Sequence, residues 1–181
     1  GGIIDEFFQR LIEFFMSIPK LPLWMALSAA LPMDWSILKM YFAITLILSI
    51  MGWTGLARVV RGKILSLKRE EYALAAESFG ANDSWVIFRH LIPNFMSYIL
   101  VRISLSIPSM ILGETALSFL GLGLRPPAIS WGVLLAAAQK VQVVAKYPWL
   151  LIPGFFVIIV VLSFNFVGDA LRDAADPYSN T

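Results

Sequence analysis

Three stretches, Ile37 to Leu56, Phe95 to Leu112 and Trp149 to Val167, are apolar over close to the roughly 20 residues that a helix needs to cross a bilayer core about 30 Å thick. A soluble domain of 181 residues could not cover them. Hydrophobic residues make up 59% of the chain and charged residues 14%, against about 25% charged in an ordinary soluble domain. The fold class expected is therefore all-α, a polytopic helical membrane protein. A fourth window, Phe7 to Leu31, is interrupted by Arg10, Glu13, Pro19, Lys20 and Pro22. Hydropathy there allows a kinked span, an interfacial helix or a re-entrant piece. Counted as a span, it gives about four transmembrane helices with both chain ends on one side.

The placement of charge orients these spans. Residues 58 to 90 carry Arg58, Arg61, Lys63, Lys68, Arg69 and Arg89, whereas 113 to 148 carry only Arg125, Lys140 and Lys146, and 31 to 36 carry no basic residue. The excess of Lys and Arg in the first segment places it in the cytoplasm, and both ends of the chain with it. Trp35, Trp131, Tyr147 and Trp149 then fall near the opposite interface, where amphipathic rings favour the headgroup level. A net charge of +2 is too small an excess for a nucleic-acid-binding surface, so no nucleic acid is expected as partner. With no cysteine and a single histidine, thiolate chemistry and a histidine-rich metal centre are excluded. The start, mixing Asp5, Glu6, Arg10 and Glu13 with aromatics, lacks the layout of a signal peptide.

The basic loop has helical grammar. Leu67 to Phe79 (LKREEYALAAESF) is a run of good helix formers without Gly or Pro, and Gly80 can end it in a left-handed conformation. Asn82, Asp83 and Ser84 offer side-chain oxygens to cap a second helix starting near Trp85, and Pro93 marks the bend into the next span. The expectation is a helix, a tight turn and another helix beneath the bilayer. Ala75 and Ala76 are small enough for close approach, while Leu74 and Phe79 supply apolar contacts. Such a knob fits a groove in a second protein as well as it fits a lipid surface, with Lys68 and Arg69 on anionic headgroups.

The stretch Glu71 to Asn94, EYALAAESFGANDSWVIFRHLIPN, resembles the EAA loop of binding-protein-dependent ABC importer permeases. That pattern has Gly four residues after the second Ala and Pro thirteen after the Gly, matched by Ala75, Ala76, Gly80 and Pro93. Leu74 stands where the general pattern has Glu, His90 where it has Ile, and Ile92 where it has Leu. RHLIPN is similar to the version in the peptide/nickel subfamily, which includes the dipeptide and oligopeptide permeases. GGIIDEFFQRLIEFFMSIPKLPLWMAL at the start, GETALSFLGLGLRPPAISWG from Gly113 to Gly132, and GDALRDAADPY near the end resemble the same subfamily.

The resemblance implies the C-type permease subunit of a type I importer for peptides or similar small solutes. It implies a single transmembrane domain over residues 1 to 181 that lacks the first two membrane helices, with a coupling loop about residues 58 to 92. It further implies a second permease subunit, two cytoplasmic ABC ATPases, an extracytoplasmic substrate-binding protein, and a bacterial or archaeal plasma (inner) membrane. In such importers a coupling helix presses into an ATPase cleft. Here that element would be Glu71, Leu74, Ala75, Ala76, Phe79 and Gly80, closed by Pro93. ATP and Mg²⁺ would belong to the partner ATPases, and no cofactor to this chain.

The residues agree that nucleotide chemistry lies elsewhere. Ala57 to Ile64 has Gly62 and Lys63 but lacks the leading Gly and the following Ser or Thr of a phosphate loop, and Gly121-x-Gly123 runs into Pro126 and Pro127. Arg102 lies within an apolar span, where an unpaired charge is costly. It is expected to face the permease interior, pairing with an acid or carbonyls or meeting solute. Glu114 is expected to open a short helix and turn, residues 114 to 132, at the external mouth. Ser17, Lys20, Ser163 and Asn165 read as helix-to-helix glue, His90 as a structural hydrogen-bonding residue, and Asp173 and Asp176 as solvated tail charges. Two other function classes stand beside the importer: a membrane-embedded hydrolase, for which no Gly-x-Ser-x-Gly elbow exists, and a non-transporting membrane scaffold.

Overall fold

The computed structural model describes residues 2–175. Helix α1 (Ile3–Ser17) opens with Asp5 and Glu6 in its first turn, where carboxylates favour the positive end of the helix dipole. It stops because Ile18 precedes Pro19 and is driven to extended backbone, φ −90° and ψ 128°. Helix α2 (Lys20–Ala29) follows, bent by 85° from α1. Ser36 caps helix α3 (Ile37–Leu67) by accepting from the Lys39 N–H at 3.4 Å.

The 31 residues of α3 carry it well beyond a bilayer core, over about 46 Å at 1.5 Å per residue. It continues past the apolar window ending at Leu56, because Ala57 to Leu67 contains good helix formers and no proline. Three contacts rank the bent pair along α3. Asp5 meets Arg61, the Phe15 ring meets Trp53 at 6.4 Å, and Trp24 packs beside Gly113 where Leu48 also reaches. As numbers rise along α1–α2 they fall along α3. The bent pair thus runs antiparallel to α3 and breaks at Pro19, the geometry of a broken span or of a re-entrant loop.

Helices α4 (Glu71–Ser78) and α5 (Asp83–Val86), a wide π-helical turn (Ile87–Leu91) and α6 (Ile92–Asn94) form the loop ahead of α7 (Met96–Phe119). The helix expected over Leu67–Phe79 is thus divided. Its first residue ends α3, and Lys68 to Glu70 turn the chain before α4. Beyond α7 come α8 (Trp131–Ala136), α9 (Val141–Lys146), a 3₁₀ turn (Pro148–Leu151) and α10 (Ile152–Ala175).

α7 also runs further than expected. Rather than ending near Leu112 it reaches Phe119, and Gly121 at φ +75° stops it. There the Leu122 N–H bonds the Leu117 carbonyl and the Gly121 N–H bonds that of Ser118, which together satisfy helix-end carbonyls. Glu114 therefore sits inside a helix, and only residues 120 to 130 form the turn that follows it. Glycines seat the neighbours of α7: Gly132 of α8 lies against Thr115 and Ser118, and Gly168 of α10 against Leu105.

The main core joins Ile44 and Leu48 of α3 to Leu117, Leu124 and Ala128, with Trp24, Met25 and Leu31 packed against it. The remaining apolar surface faces outward. Only 6% of the most apolar part of the last span is buried within the chain, which leaves its Phe, Ile and Val side chains for lipid or other subunits.

Candidate functional site: a helical hairpin below the membrane helices

The hairpin is built on an alanine. Ala73, Val86 and Leu91 are wholly buried, packed with Ile64 and Leu67 from the end of α3 and with Ala76, Ala81 and Ile87. Ala73 and Ala76, one helical turn apart, form the inward face of α4. Its other side is left open. Glu71, Leu74, Ala75 and Ser78 are exposed, Leu74 to 50%, and Phe79 at the tip stands 92% exposed.

The turn is fixed by backbone chemistry. Gly80 adopts φ +86°, the Ala81 N–H bonds the Ala76 carbonyl at 3.1 Å, and the Gly80 N–H bonds the Glu77 carbonyl at 2.9 Å. Asn82 then caps α5, its Oδ1 accepting from the Trp85 N–H at 2.7 Å. The capping expected near Trp85 is present, with the helix starting two residues earlier at Asp83. Pro93 supplies no N–H, and the Ile92 N–H reaches back five residues to the Ile87 carbonyl, so the chain widens just before it leaves the hairpin.

Side chains brace this arrangement. The Lys68 ammonium lies 2.7 Å from Asp83 Oδ1 and 3.5 Å from Glu77 Oε1. The hydrogen bond from Lys68 holds the Asp83 carboxyl below its usual range, and the same bond raises Lys68 above the usual lysine range. Asn94 Nδ2 donates to the Tyr72 hydroxyl at 3.2 Å, tying α4 to α6.

Of the residues singled out in the loop, Leu74, Ala75 and Phe79 form one outward surface beside Glu71. Ala76 belongs largely to the inward face, and Pro93 is exposed on α6. Beside Phe79 a shallow cleft of about 540 Å³ runs past Gly80 to Trp85 and His90. His90 meets the Trp85 ring in a T-shaped contact at 4.9 Å, and among the described residues its side chain makes no hydrogen bond of the structural kind expected of it. Sequence reasoning missed Ala73, Trp85 and the Lys68 bridge. The three-residue spacing of Ala73 and Ala76 was the available signal, while the bridge depends on how the hairpin folds back.

The two membrane-span candidates lie apart. Arg102 is exposed on α7 and lines a cleft of about 760 Å³ with Lys20, Thr54 and Ser109, and among the described residues it has no acidic or carbonyl partner. Among the described residues no carboxylate lines that cleft, so the acidic partner expected of Arg102 is not found there. Glu114 lines a different, largely apolar cleft of about 980 Å³ with Tyr41, Thr45 and Trp131. It accepts from the Ser118 hydroxyl at 2.6 Å, and that hydroxyl accepts from the Leu124 N–H at 2.9 Å, so Glu114 also braces the turn after α7. No cluster of three metal-ligating side chains occurs among the described residues. Asp173 is exposed, and Asp176 lies outside the described residues.

Residues 1–179 match the family described as binding-protein-dependent transport system inner membrane component. The oligopeptide transport system permease protein OppC of Bacillus subtilis is 40% identical over 178 residues, which cover 98% of this chain and 56% of that protein. The OppC of Escherichia coli K12 shows the same identity and coverage. The dipeptide transport system permease protein DppC of Bacillus subtilis is 37% identical over 179 residues, 98% of this chain and 53% of the relative. The chain thus spans about half the length of the curated relatives it matches.

Proposed function

The chain belongs to the inner membrane components of binding-protein-dependent transport systems, and from that premise we propose that it forms part of the transmembrane pathway of an ATP-driven importer for peptides or similar small solutes. The observation that carries the reading is the outward surface of α4, where Leu74, Ala75 and Phe79 project from a hairpin whose opposite face is fully packed. An apolar helix face held on a rigid base suits insertion into a groove of a partner protein. Of the two basic residues that a lipid-resting helix would set on anionic headgroups, Lys68 is engaged instead with Asp83 and Glu77, which leaves Arg69 alone exposed there.

In this reading α4 docks on a cytoplasmic ATPase, which binds ATP and Mg²⁺, and a second permease subunit completes the pathway. An extracytoplasmic binding protein delivers solute to the end that bears the turn at residues 120 to 130. The segment 58–90, with its excess of Lys and Arg, lies in the cytoplasm, and so do both ends of this chain. Nucleotide-dependent closure of the ATPases shifts the hairpin, and the permeases exchange between inward-open and outward-open states, the docking energy differing between the two. Arg102 and Glu114 serve in the pathway or against the second permease.

The test is capture of the ATPase by the full-length permease in detergent, comparing wild type with Ala75→Glu and Phe79→Asp and checking membrane insertion. Both substitutions fall on the exposed face, whereas Ala76→Glu would also disturb the hairpin core. Loss of capture with insertion intact is the expected result. Unchanged capture would overturn the docking assignment.

A further inference from the structure

The hairpin joins two membrane helices, α3 before it and α7 after it, and its attachments to them are unequal. Toward α3 they are dense. Ile64 and Leu67 enter the buried core around Ala73, Val86 and Leu91, and Lys68, the residue that caps α3, reaches both arms of the hairpin through Glu77 of α4 and Asp83 of α5. Tyr72 and Asn94 close the far end of the same body.

Toward α7 the helix is broken. The π-helical turn leads into three residues of α6, and then the buried Phe95, its N–H bonded to the Ile92 carbonyl and its carbonyl to the Ile99 N–H, leaves the helical region at φ −125°, ψ 19° before α7 begins at Met96. Among the described residues, no side-chain hydrogen bond or ion pair runs from residues 71–94 to α7. A body welded on one side and linked by a broken helix on the other transmits displacement to the welded side, because rotation about the break dissipates it.

We infer that Lys68 is a positioning residue that fastens the α4–α5 hairpin to α3, making α3 the membrane helix that receives a stroke applied at α4, with Phe95 as the joint that spares α7. The inference rests on α4 being the ATPase-docking element. Two pairings give Lys68 its leverage. Bonding to Asp83 alone would fix one arm, whereas the second contact to Glu77 resists twisting of α4 relative to α3. The Asp5–Arg61 pair carries the motion onward, since α1 is bound to the last third of α3 through both guanidinium contacts.

Distance measurements in the full importer complex test this directly. These 181 residues contain no cysteine, so with any other cysteine of the full-length subunit replaced, spin labels at Ser84→Cys with Lys63→Cys report the hairpin against α3, and labels at Ser84→Cys with Ser97→Cys report it against α7, Ser84 being exposed on α5 away from the docking face of α4. Between nucleotide-free and ATP-bound states the 84–63 distance should hold while 84–97 shifts. Equal shifts in both pairs would overturn the inference, and so would a fixed 84–97 distance with a moving 84–63.

A second measurement isolates Lys68. In Lys68→Met, solute imported per ATP hydrolysed should fall about five-fold, the lower end of ordinary coupling energies, with ATPase capture retained. Lys68→Arg, which keeps a cation facing both Asp83 and Glu77, should retain the ratio. An unchanged ratio in Lys68→Met would refute the role of Lys68. Failure of wild-type capture by Phe79→Asp and Ala75→Glu to change would instead refute the docking assignment, so the two claims fail separately.

Discussion

Asp5 and Arg61, 56 residues apart in sequence, face each other as a two-pronged ion pair: Nε to Oδ1 and Nη2 to Oδ2 are both 2.7 Å. The pair is part-buried and joins the first turn of α1 to α3. A planar guanidinium matches both carboxylate oxygens, a geometry that a lysine cannot reproduce. Arg61→Lys should therefore lower the detergent-state melting temperature despite keeping the charge. Asp5→Asn should lower it too, and the double substitution should cost less than the separate losses added together, as a thermal double-mutant cycle would read.

The wholly buried Leu91 anchors the hairpin to α3. Leu91→Ala should cost about 2–5 kcal/mol locally, by lost burial and the cavity left behind. Hydrogen exchange of residues 71–94 would show faster opening than in the membrane helices. Exchange unchanged from wild type would mean that the hairpin is held by something other than this core.

Gly80 and Gly121 occupy left-handed backbone at φ +86° and +75°, with open space where a Cβ would go. Alanine at either position should cost about 1–2 kcal/mol through backbone strain alone. Gly80→Asn should recover part of that, since asparagine tolerates this conformation. Thermal unfolding of the three variants gives the order.

Gly132 is a different case, since its conformation is ordinary and space is the constraint. A Cβ there would lie 2.7 Å from Ser118 Cβ and 2.9 Å from Thr115 Cα, and would meet the Thr115 carbonyl as well. Gly132→Ala should push α8 off α7 at a cost of about 1–3 kcal/mol, and proteolysis within residues 120 to 140 should accelerate.

The Lys68–Asp83 pair sets a pH dependence with two limbs. Asp83 has its pKa lowered in the fold, so its contribution is present above the usual carboxylate range and is lost as pH falls through the lowered value. Lys68 is raised, so its contribution is complete below the usual lysine range and is lost only when pH climbs through the raised value. Between those limits the hairpin should show no pH dependence from this pair. Asp83→Asn should remove the acid limb in hydrogen exchange of residues 71–94, by an amount moderated by solvent because the Asp83 side chain is 71% exposed.

Much of the architecture was legible because a bilayer imposes length and hydropathy on each crossing. The windows at residues 37, 95 and 149 each became a helix, and the capping signals at Gly80 and Asn82 fell where backbone chemistry demands them. Hydropathy could not locate the true ends of α3 and α7. Helix continues wherever the backbone is not broken, whether or not the side chains suit lipid, so α3 reaches Leu67 and α7 reaches Phe119. The bent α1–α2 pair, likewise ambiguous by hydropathy, takes its order along α3 only from contacts that packing creates.

The sequence alone determined a helical membrane chain and marked Glu71 to Pro93 as its distinctive loop, because periodicity, glycine and proline act locally. Only the tertiary structure decided which alanine faces inward, that Lys68 bridges Glu77 and Asp83, and that Arg102 shares a cleft with Lys20. These are relations between residues brought together by packing. Their distances follow from crossing angles and turn geometry, which neighbouring residues in the chain do not encode singly.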